Sequence, residues 1–183
     1  MNILMHMCCA PCSMYPTDVL KEEGYTVTGL YFNPNIHPIE EFEKRKDMVS
    51  KLATLKNIEV IYDNTYEQDI WEGIPEGSQS KCSMCYHKRL EKTFKTAKEL
   101  HFDAVTTSLL SSKHQNQTLI KKSAHKLSKT YHIPFIEKDF QKGFQEGLNE
   151  AKNHGIYAQH YCGCIVSLQS RIDEIIASTS LQK

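Results

Sequence analysis

The feature that most restricts the fold is an alternation. Short apolar runs, "NILMHM" (2–7), "TVTGLYF" (26–32), "NIEVIYD" (57–63) and "DAVTTSL" (103–109), are separated by stretches with helical spacing. A further run, "IPFIEKD" (133–139), reads as a fifth strand. Helices are expected over 14–23, 38–55, 83–101, 116–131, 141–153 and 165–177. In the second of these, Ile39, Phe42, Val49, Leu52 and Ala53 recur at helical intervals. Pro38 suits its first turn, where a missing N–H is no loss. Strands that alternate with helices argue for a parallel sheet, because parallel neighbours need a crossover. The expected fold is therefore α/β: a single-domain, three-layer parallel sheet with helices on both faces, covering residues 1–183. No repeat, low-complexity tract or linker divides the chain. In such folds ligands bind beyond the carboxyl ends of the strands. "CCAPCS" follows the first strand and "TTSLLSS" ends the fourth, so both belong to that end.

Composition narrows the setting. Of the 183 residues, 40% are hydrophobic and 24% charged, as in ordinary soluble domains. No apolar run approaches bilayer length. "MNILMHM" lacks a basic start and a long enough apolar core for a signal peptide, and a lipid anchor at Cys8 is set aside for the same reason. A cytoplasmic location is expected, where disulfides are rare. The 22 basic residues balance 22 acidic ones, which removes the simplest argument for a nucleic-acid binder. Two local crowds, Lys81, Lys88, Arg89, Lys92, Lys95 and Lys98, then Lys121, Lys122, Lys126 and Lys129, read first as solvated helix faces.

Seven cysteines fall into three groups: Cys8, Cys9 and Cys12; Cys82 and Cys85; Cys162 and Cys164. Two groups contain C-x-x-C, a spacing that lets two sulfurs reach one metal from a single turn. Cys82 and Cys85 are expected to precede or open a helix, whose dipole would favour the thiolate. Four readings compete. Buried cysteines can act as small hydrophobes, but seven in tight groups is improbable for that. The two C-x-x-C pairs could build a structural zinc site, leaving three cysteines unused. "CAPC" could be a thioredoxin-like dithiol faced by Ile133-Pro134, leaving five. An iron–sulfur cluster takes up to four thiolates, and the other three could hold a second metal beside it. Only this last arrangement employs every cysteine. Glycine is absent from "MCCAPCS", so no phosphate-cradling loop forms there.

The segments "CCAPCS", "YFNPNIHPIEEFEKR", "KCSMCYHKRLEKT", "TTSLLSS", "KDFQKGFQEG" and "YAQHYCGC" resemble, in order and over residues 3–170, the QueH-type epoxyqueuosine reductases. The resemblance implies a fold similar to adenine-nucleotide α-hydrolase-like (HUP) proteins. It implies a cobalamin-independent, iron–sulfur-dependent oxidoreductase that reduces epoxyqueuosine to queuosine at the tRNA wobble position, the last step of queuosine biosynthesis. It also implies a [4Fe-4S] cluster and one additional metal ion, iron, held among Cys8, Cys9, Cys12, Cys82, Cys85, Cys162 and Cys164, in a partition the sequence leaves open. The implied partners are tRNA bearing epoxyqueuosine in its anticodon loop and a reductant protein. After "TTSLLSS" the family pattern leads to a proline and a lysine–asparagine pair; here "SSKHQNQ" keeps Asn116 and lacks the proline.

Removal of an epoxide oxygen takes two electrons and two protons, so a proton donor is needed. Candidates are Tyr15, Asp18, His87, His114, Asp139 and His160, with Tyr15, Asp18 and His160 foremost. His160 stands two residues before Cys162 and could support the ligands. Tyr161 could stack on a base or pack in the core. Arg45, Lys81, Lys88, Arg89 and Lys113 lie near the expected site and could reach phosphates of a single-stranded loop. Cys8 and Cys9, adjacent in an extended turn, are expected to diverge, one toward the cluster and one toward the second metal. The alternative function is a zinc-stabilised α/β binding module without redox activity.

Overall fold

A computed structural model describes residues 1–72 and 78–180. Strands β1 (Asn2–His6), β2 (Thr26–Phe32), β3 (Glu59–Asp63) and β4 (Ala104–Thr107) form one parallel sheet in the order β3-β2-β1-β4. His6 lies opposite Leu30 on one side and Thr107 on the other. The middle of β1 is covered on both faces: Ile3, Leu4 and Met5 are fully buried. That is why this run is continuously apolar rather than alternating.

The helices are α1 (Ala10–Glu22), α2 (Ile39–Lys56), α3 (Gln68–Glu72), α4 (Ser78–Glu99), α5 (Gln117–Tyr131), α6 (Phe144–Asn153) and α7 (Ile165–Ser180). The connections through α1 and α2 step one way across the sheet. The connection through α4 returns from β3 to β4 in the other direction. Right-handed crossovers therefore put α1 and α2 on one face and α4 on the opposite one. α6 packs on α1 and α5 on α4, which fills out the two helical layers. The direction of the connections reverses between β1 and β4, and the carboxyl ends of these two strands are the switch point at which such folds place their ligands.

The stretch 133–139 does not form a fifth strand. It meets β4 through one bridge, Val105 opposite Phe135. The Val105 N–H donates to the Pro134 carbonyl at 2.9 Å, and the Ile136 N–H donates to the Val105 carbonyl at 2.8 Å. Pro134 has no N–H to continue a ladder. β4 is itself only four residues long, because the chain turns at Ser108–Ser111 into a 3-10 turn. The Thr107 hydroxyl starts that turn by accepting from the Leu109 N–H at 3.2 Å. Two helices also begin earlier than their periodicity predicts. α1 starts at Ala10, directly after an extended Cys9 and with Pro11 in its first turn. α4 starts at Ser78 rather than 83.

Candidate functional site

Three cysteines meet where β1 gives way to α1. The sulfurs of Cys8, Cys9 and Cys12 all lie within 4.8 Å of one another, and all three residues are buried. Cys8 and Cys9 do not diverge; their sulfurs are 3.7 Å apart. The helix begins immediately after Cys9, so the chain bends there and Cys12 returns beneath the same point one turn later. The segment leaving β4 pins this turn. The Cys8 N–H donates to Ser108 Oγ at 3.0 Å, and that hydroxyl points back to Cys8 Sγ at 3.3 Å. Ser111 Oγ donates to the Cys12 carbonyl at 2.8 Å. That carbonyl is free to accept because Pro16, four residues on inside α1, has no N–H to offer it. A proline that weakens the helix thus ties the thiol turn to β4.

The other four cysteines come from two distant segments. Cys82 and Cys85 stand on α4, and Cys162 and Cys164 on the loop before α7. Cys82 and Cys85 do not open their helix. They occupy its second turn, beyond the reach of the dipole. Burial, aided by the nearby Cys162 sulfur, holds both thiols above their ordinary range. Asn35 Nδ2 donates to Cys85 Sγ at 3.3 Å. Gln115 Nε2 donates to Cys162 Sγ at 3.5 Å. Gln115 is held in turn by the Tyr86 hydroxyl at 2.8 Å, which accepts from the Asn116 N–H at 3.1 Å. Cys162 is exposed, and a hydrogen bond from the Cys164 thiol lowers its own thiol to about 5. The same bond raises Cys164. All seven cysteines are free thiols.

Two arginines lie among these groups, and neither reaches outward to a phosphate. Arg45 is 2% exposed and Arg89 4%. Arg89 directs Nε and Nη2 to Asn35 Oδ1 at 3.2 and 2.6 Å. Arg45 directs Nε to Glu41 Oε1 at 2.7 Å, Nη1 to the Cys162 carbonyl at 2.9 Å and Nη2 to the Tyr161 carbonyl at 3.1 Å. The sequence does hold a signal for this burial. Arg45 falls in helical phase with Phe42 and Val49, and Arg89 with Tyr86 and Thr93, all four of them buried.

The local charges divide the triad's protons unequally. Burial pushes the Cys9 thiol up, but hydrogen bonds from Cys12 and Cys8 and the Arg45 charge outweigh it and hold Cys9 well below its usual range. Cys12 is raised well above that range by its bonds to Cys8 and Cys9. Cys8 rises to about 11: its bond to Cys12 lowers it, but the bond to Cys9 and burial prevail. Within the metal-free triad the Cys9 thiol is thus the one held low, and those of Cys8 and Cys12 are held high. Behind it sits His6, fully buried. Its Nε2 faces the Phe32 carbonyl at 3.2 Å, which can only accept, so Nε2 carries the proton. Nδ1 then accepts from Thr107 Oγ1 at 3.0 Å. Burial, and next the Arg89 charge, lower His6 to about 4 and keep it neutral.

Gln159 lies within "YAQHYCGC", one of the segments that carry the family resemblance, but no periodicity singles it out as a site residue. Its Nε2 donates to Cys9 Sγ at 2.8 Å. Its Oε1 is buried and has no hydrogen-bond partner.

Other candidates lie elsewhere. Asp18 pairs with Lys56 at 2.6 Å, and Lys56 also meets Glu150 of α6 at 2.5 Å. Tyr15 packs its ring on Gly143, where a Cβ would fall 2.1 Å from it. Tyr15 and Asp18 line a hollow with Glu22, Glu146 and Glu150, between α1 and α6. Asp18 is roughly 13 Å along α1 from Cys9 at about 1.5 Å per residue. His87 Nδ1 is 3.3 Å from Ser123 Oγ on α5. Asp139 caps the turn at Phe140–Gly143 by accepting from the Gln141 N–H at 3.2 Å. Asn116 caps α5 by accepting from the Leu119 N–H at 3.1 Å. His114 and His160 are exposed. The Tyr161 hydroxyl donates to the His37 carbonyl, and its ring centroid lies 5.3 Å from the Arg45 guanidinium carbon. Of the lysines, Lys88 pairs with Glu67, Lys92 with Asp63 and Lys121 with Glu137, whereas Lys113 is exposed. Lys81 is half-buried.

The donor set fits a thiophilic metal. In a tetrahedral thiolate site with bonds of about 2.3 Å, sulfurs sit about 3.8 Å apart. The 3.7 Å separation of Cys8 and Cys9, with Cys12 close by, has that scale. Buried arginines add positive charge beside thiolates that a divalent ion alone would leave net negative.

A parallel sheet with thiols gathered at its switch point defines a class: an α/β protein whose crevice can bind metal through cysteine. Within that class, the family described as Epoxyqueuosine reductase QueH matches residues 3–170. The chain belongs to this family. It is 32% identical over 181 residues to epoxyqueuosine reductase QueH of Thermotoga maritima, covering 93% of this chain and 92% of the relative. With the protein of the same name from Streptococcus pyogenes serotype M1 it shares 33% over 178 residues, 90% of this chain and 69% of the other. Among solved structures, a deacetylase–teicoplanin complex from teicoplanin biosynthesis superimposes with a TM-score of 0.55 at 8% identity, over 84% of this chain and 86% of that one. At that identity the likeness concerns the fold alone. Among the described residues no helix is long and apolar enough to cross a membrane.

Proposed function

We propose that this chain is an epoxyqueuosine reductase acting on tRNA, with the seven cysteines holding a [4Fe-4S] cluster and one further iron. The observation that carries the metal reading is the meeting of Cys8, Cys9 and Cys12 at the switch point. By number and spacing, the triad suits a single ion, and Cys82, Cys85, Cys162 and Cys164 supply the four thiolates a cluster takes. When bound, these groups supply Lewis acidity toward an epoxide oxygen and one-electron steps. The overall change takes two electrons and two protons and releases the oxygen as water, leaving an alkene. The electrons come from a separate reductant protein.

The chain's own residues set the site. Ser108 and Ser111 fix the triad's turn, and Gln159 places a carboxamide on Cys9 with its oxygen free to accept. His6 spends both nitrogens on Thr107 and Phe32, so it is not the proton donor. Asp18 and Tyr15 serve the contact between α1 and α6. His160, exposed on the cysteine loop, is the better placed donor. Lys113 remains available to phosphates of an anticodon loop.

The test is anaerobic purification with iron and sulfide analysis, followed by incubation with tRNA carrying epoxyqueuosine, a chemical reductant and nucleoside mass spectrometry. Iron with sulfide and conversion to queuosine are expected. Stoichiometric zinc, no sulfide and no conversion would instead establish the zinc-stabilised binding module.

A further inference from the structure

Helix α2 is clasped to the loop that carries the last two cysteines. Glu41, Arg45 and Met48 form one stripe of α2 and each touches that loop. Glu41 Oε2 accepts from the Tyr157 hydroxyl at 3.2 Å, and the Tyr157 N–H meets Met48 Sδ at 3.2 Å. Arg45, between them, spends one guanidinium edge on Glu41 and its other nitrogens on the successive carbonyls of Tyr161 and Cys162. The segment before α2 closes the clasp from the other side: the His37 N–H donates to the Gly163 carbonyl at 2.7 Å, and the His37 carbonyl accepts from the Tyr161 hydroxyl. Gly163 is shaped to this cation. Its φ is +114°, and a Cβ there would lie 2.8 Å from Arg45 Nη1.

The clasped loop reaches both thiol groups. Gln159 touches Cys9 of the triad, while Cys162 and Cys164 belong to the other group. It contains no helix or strand between α6 and α7, and besides the clasp it is held by Gln115 at Cys162 Sγ and by Ser167 at Gly163 and Cys164. We propose that Arg45 is a positioning residue: it locks the 157–164 loop so that Cys162, Cys164 and Gln159 stand in fixed relation to the cysteines of the sheet. A planar guanidinium presents its donors in a rigid fork that reaches a carboxylate and two carbonyls spread around it, whereas an ammonium gathers its three donors at one point. The geometry of the lock is independent of any metal. Its consequence for metal binding rests on the iron–sulfur reading above.

The test uses the full chain, as isolated and after chelation. Hydrogen exchange by mass spectrometry is compared for wild type, Arg45→Ala, Arg45→Lys and Gly163→Ala, with iron and sulfide measured alongside. In Arg45→Ala and Gly163→Ala the 157–164 amides should exchange about tenfold faster or more, with β1 and β4 unchanged, because local opening no longer breaks the clasp. Arg45→Lys should resemble Arg45→Ala, and methylguanidinium should slow exchange again in Arg45→Ala only. Cluster absorption should fall in parallel. Should Arg45→Ala lose its fold through the stranded Glu41, the paired Glu41→Gln, Arg45→Met variant decides, since it removes the cation without stranding a carboxylate and leaves Gly163 in place. Wild-type exchange at 157–164 in a folded variant overturns the proposal. Chelated protein tests the lock even if no iron is found, so failure of the metal reading is seen separately.

Discussion

The two thiol groups differ in how they are built. Cys8, Cys9 and Cys12 come from one turn of chain, are buried, and owe their convergence to local geometry: an extended residue, then a helix start. Cys82, Cys85, Cys162 and Cys164 come from α4 and a loop far along the chain, and Cys162 is exposed. The first group is a property of one short segment. The second exists only while tertiary contacts hold two segments together, chiefly through Arg45 and the Gln115–Tyr86 pair. Charge follows the same division. In the triad the depressed thiol is that of Cys9, a buried residue; in the other group it is that of Cys162, an exposed residue.

Ligand removal is the strongest way to break this comparison. On the reading that both sulfurs serve one centre, Cys8→Ala and Cys9→Ala should lose the same bound metal and reduce turnover to background. Cys82→Ser and Cys85→Ser should remove the cluster's absorption while leaving the triad's ion, since a hydroxyl is a poor ligand for a soft metal. Metal analysis and absorption spectra check both. If Cys8→Ala and Cys9→Ala lose different metals, the triad is not one site.

Reactivity sharpens the comparison in the metal-free protein. Thiolates, not thiols, are alkylated. Cys162, lowered to about 5, is a thiolate at neutral pH and should lose reactivity only as pH falls through that value. Cys8, raised to about 11 and buried, should gain it only as pH climbs toward that value. Iodoacetamide labelling read by peptide mass spectrometry across pH should therefore mark Cys162 first. A shared midpoint for the two would show that the groups are electrostatically alike.

The smallest effect concerns anchoring. Ser111→Ala removes one hydrogen bond to the Cys12 carbonyl, for which Pro16 leaves no helical substitute. A loss of about 1 kcal/mol in denaturant unfolding is expected, with metal content near normal, because Ser108 still holds Cys8. Loss of the triad's ion in this variant would mean that the turn is not self-sufficient.

Much of this is written in the sequence, and what is not has physical reasons. β1 is legible because burial on both faces makes it a near-continuous apolar run, whereas β3, at the sheet edge and only partly buried, is legible by its β-branched and aromatic residues. The run at 133–139 looks the same, yet Pro134 and the early turn of β4 stop it at one bridge. The thiols can be found by grouping, but their convergence turns on where α1 begins. Pro11 is the clue, as a residue favoured in a first turn. Arg45 and Arg89 read as surface cations when charge is weighed before helical phase. Gln159 stands within the family segment "YAQHYCGC", but nothing in its residue type points to Cys9, and only the tertiary fold brings it there.

The pinning of Cys8 by Ser108 spans 100 positions of chain. Loop-closure entropy rises with such separation, and contacts across it form late. β1, α1 and β2 close over a far shorter span, so the triad's sulfurs converge before β4 arrives to anchor them. Synthesis proceeds from the amino end, and early segments begin to organise first. During synthesis Cys8, Cys9 and Cys12 therefore emerge well before Ser108 and Ser111, the residues that pin their turn.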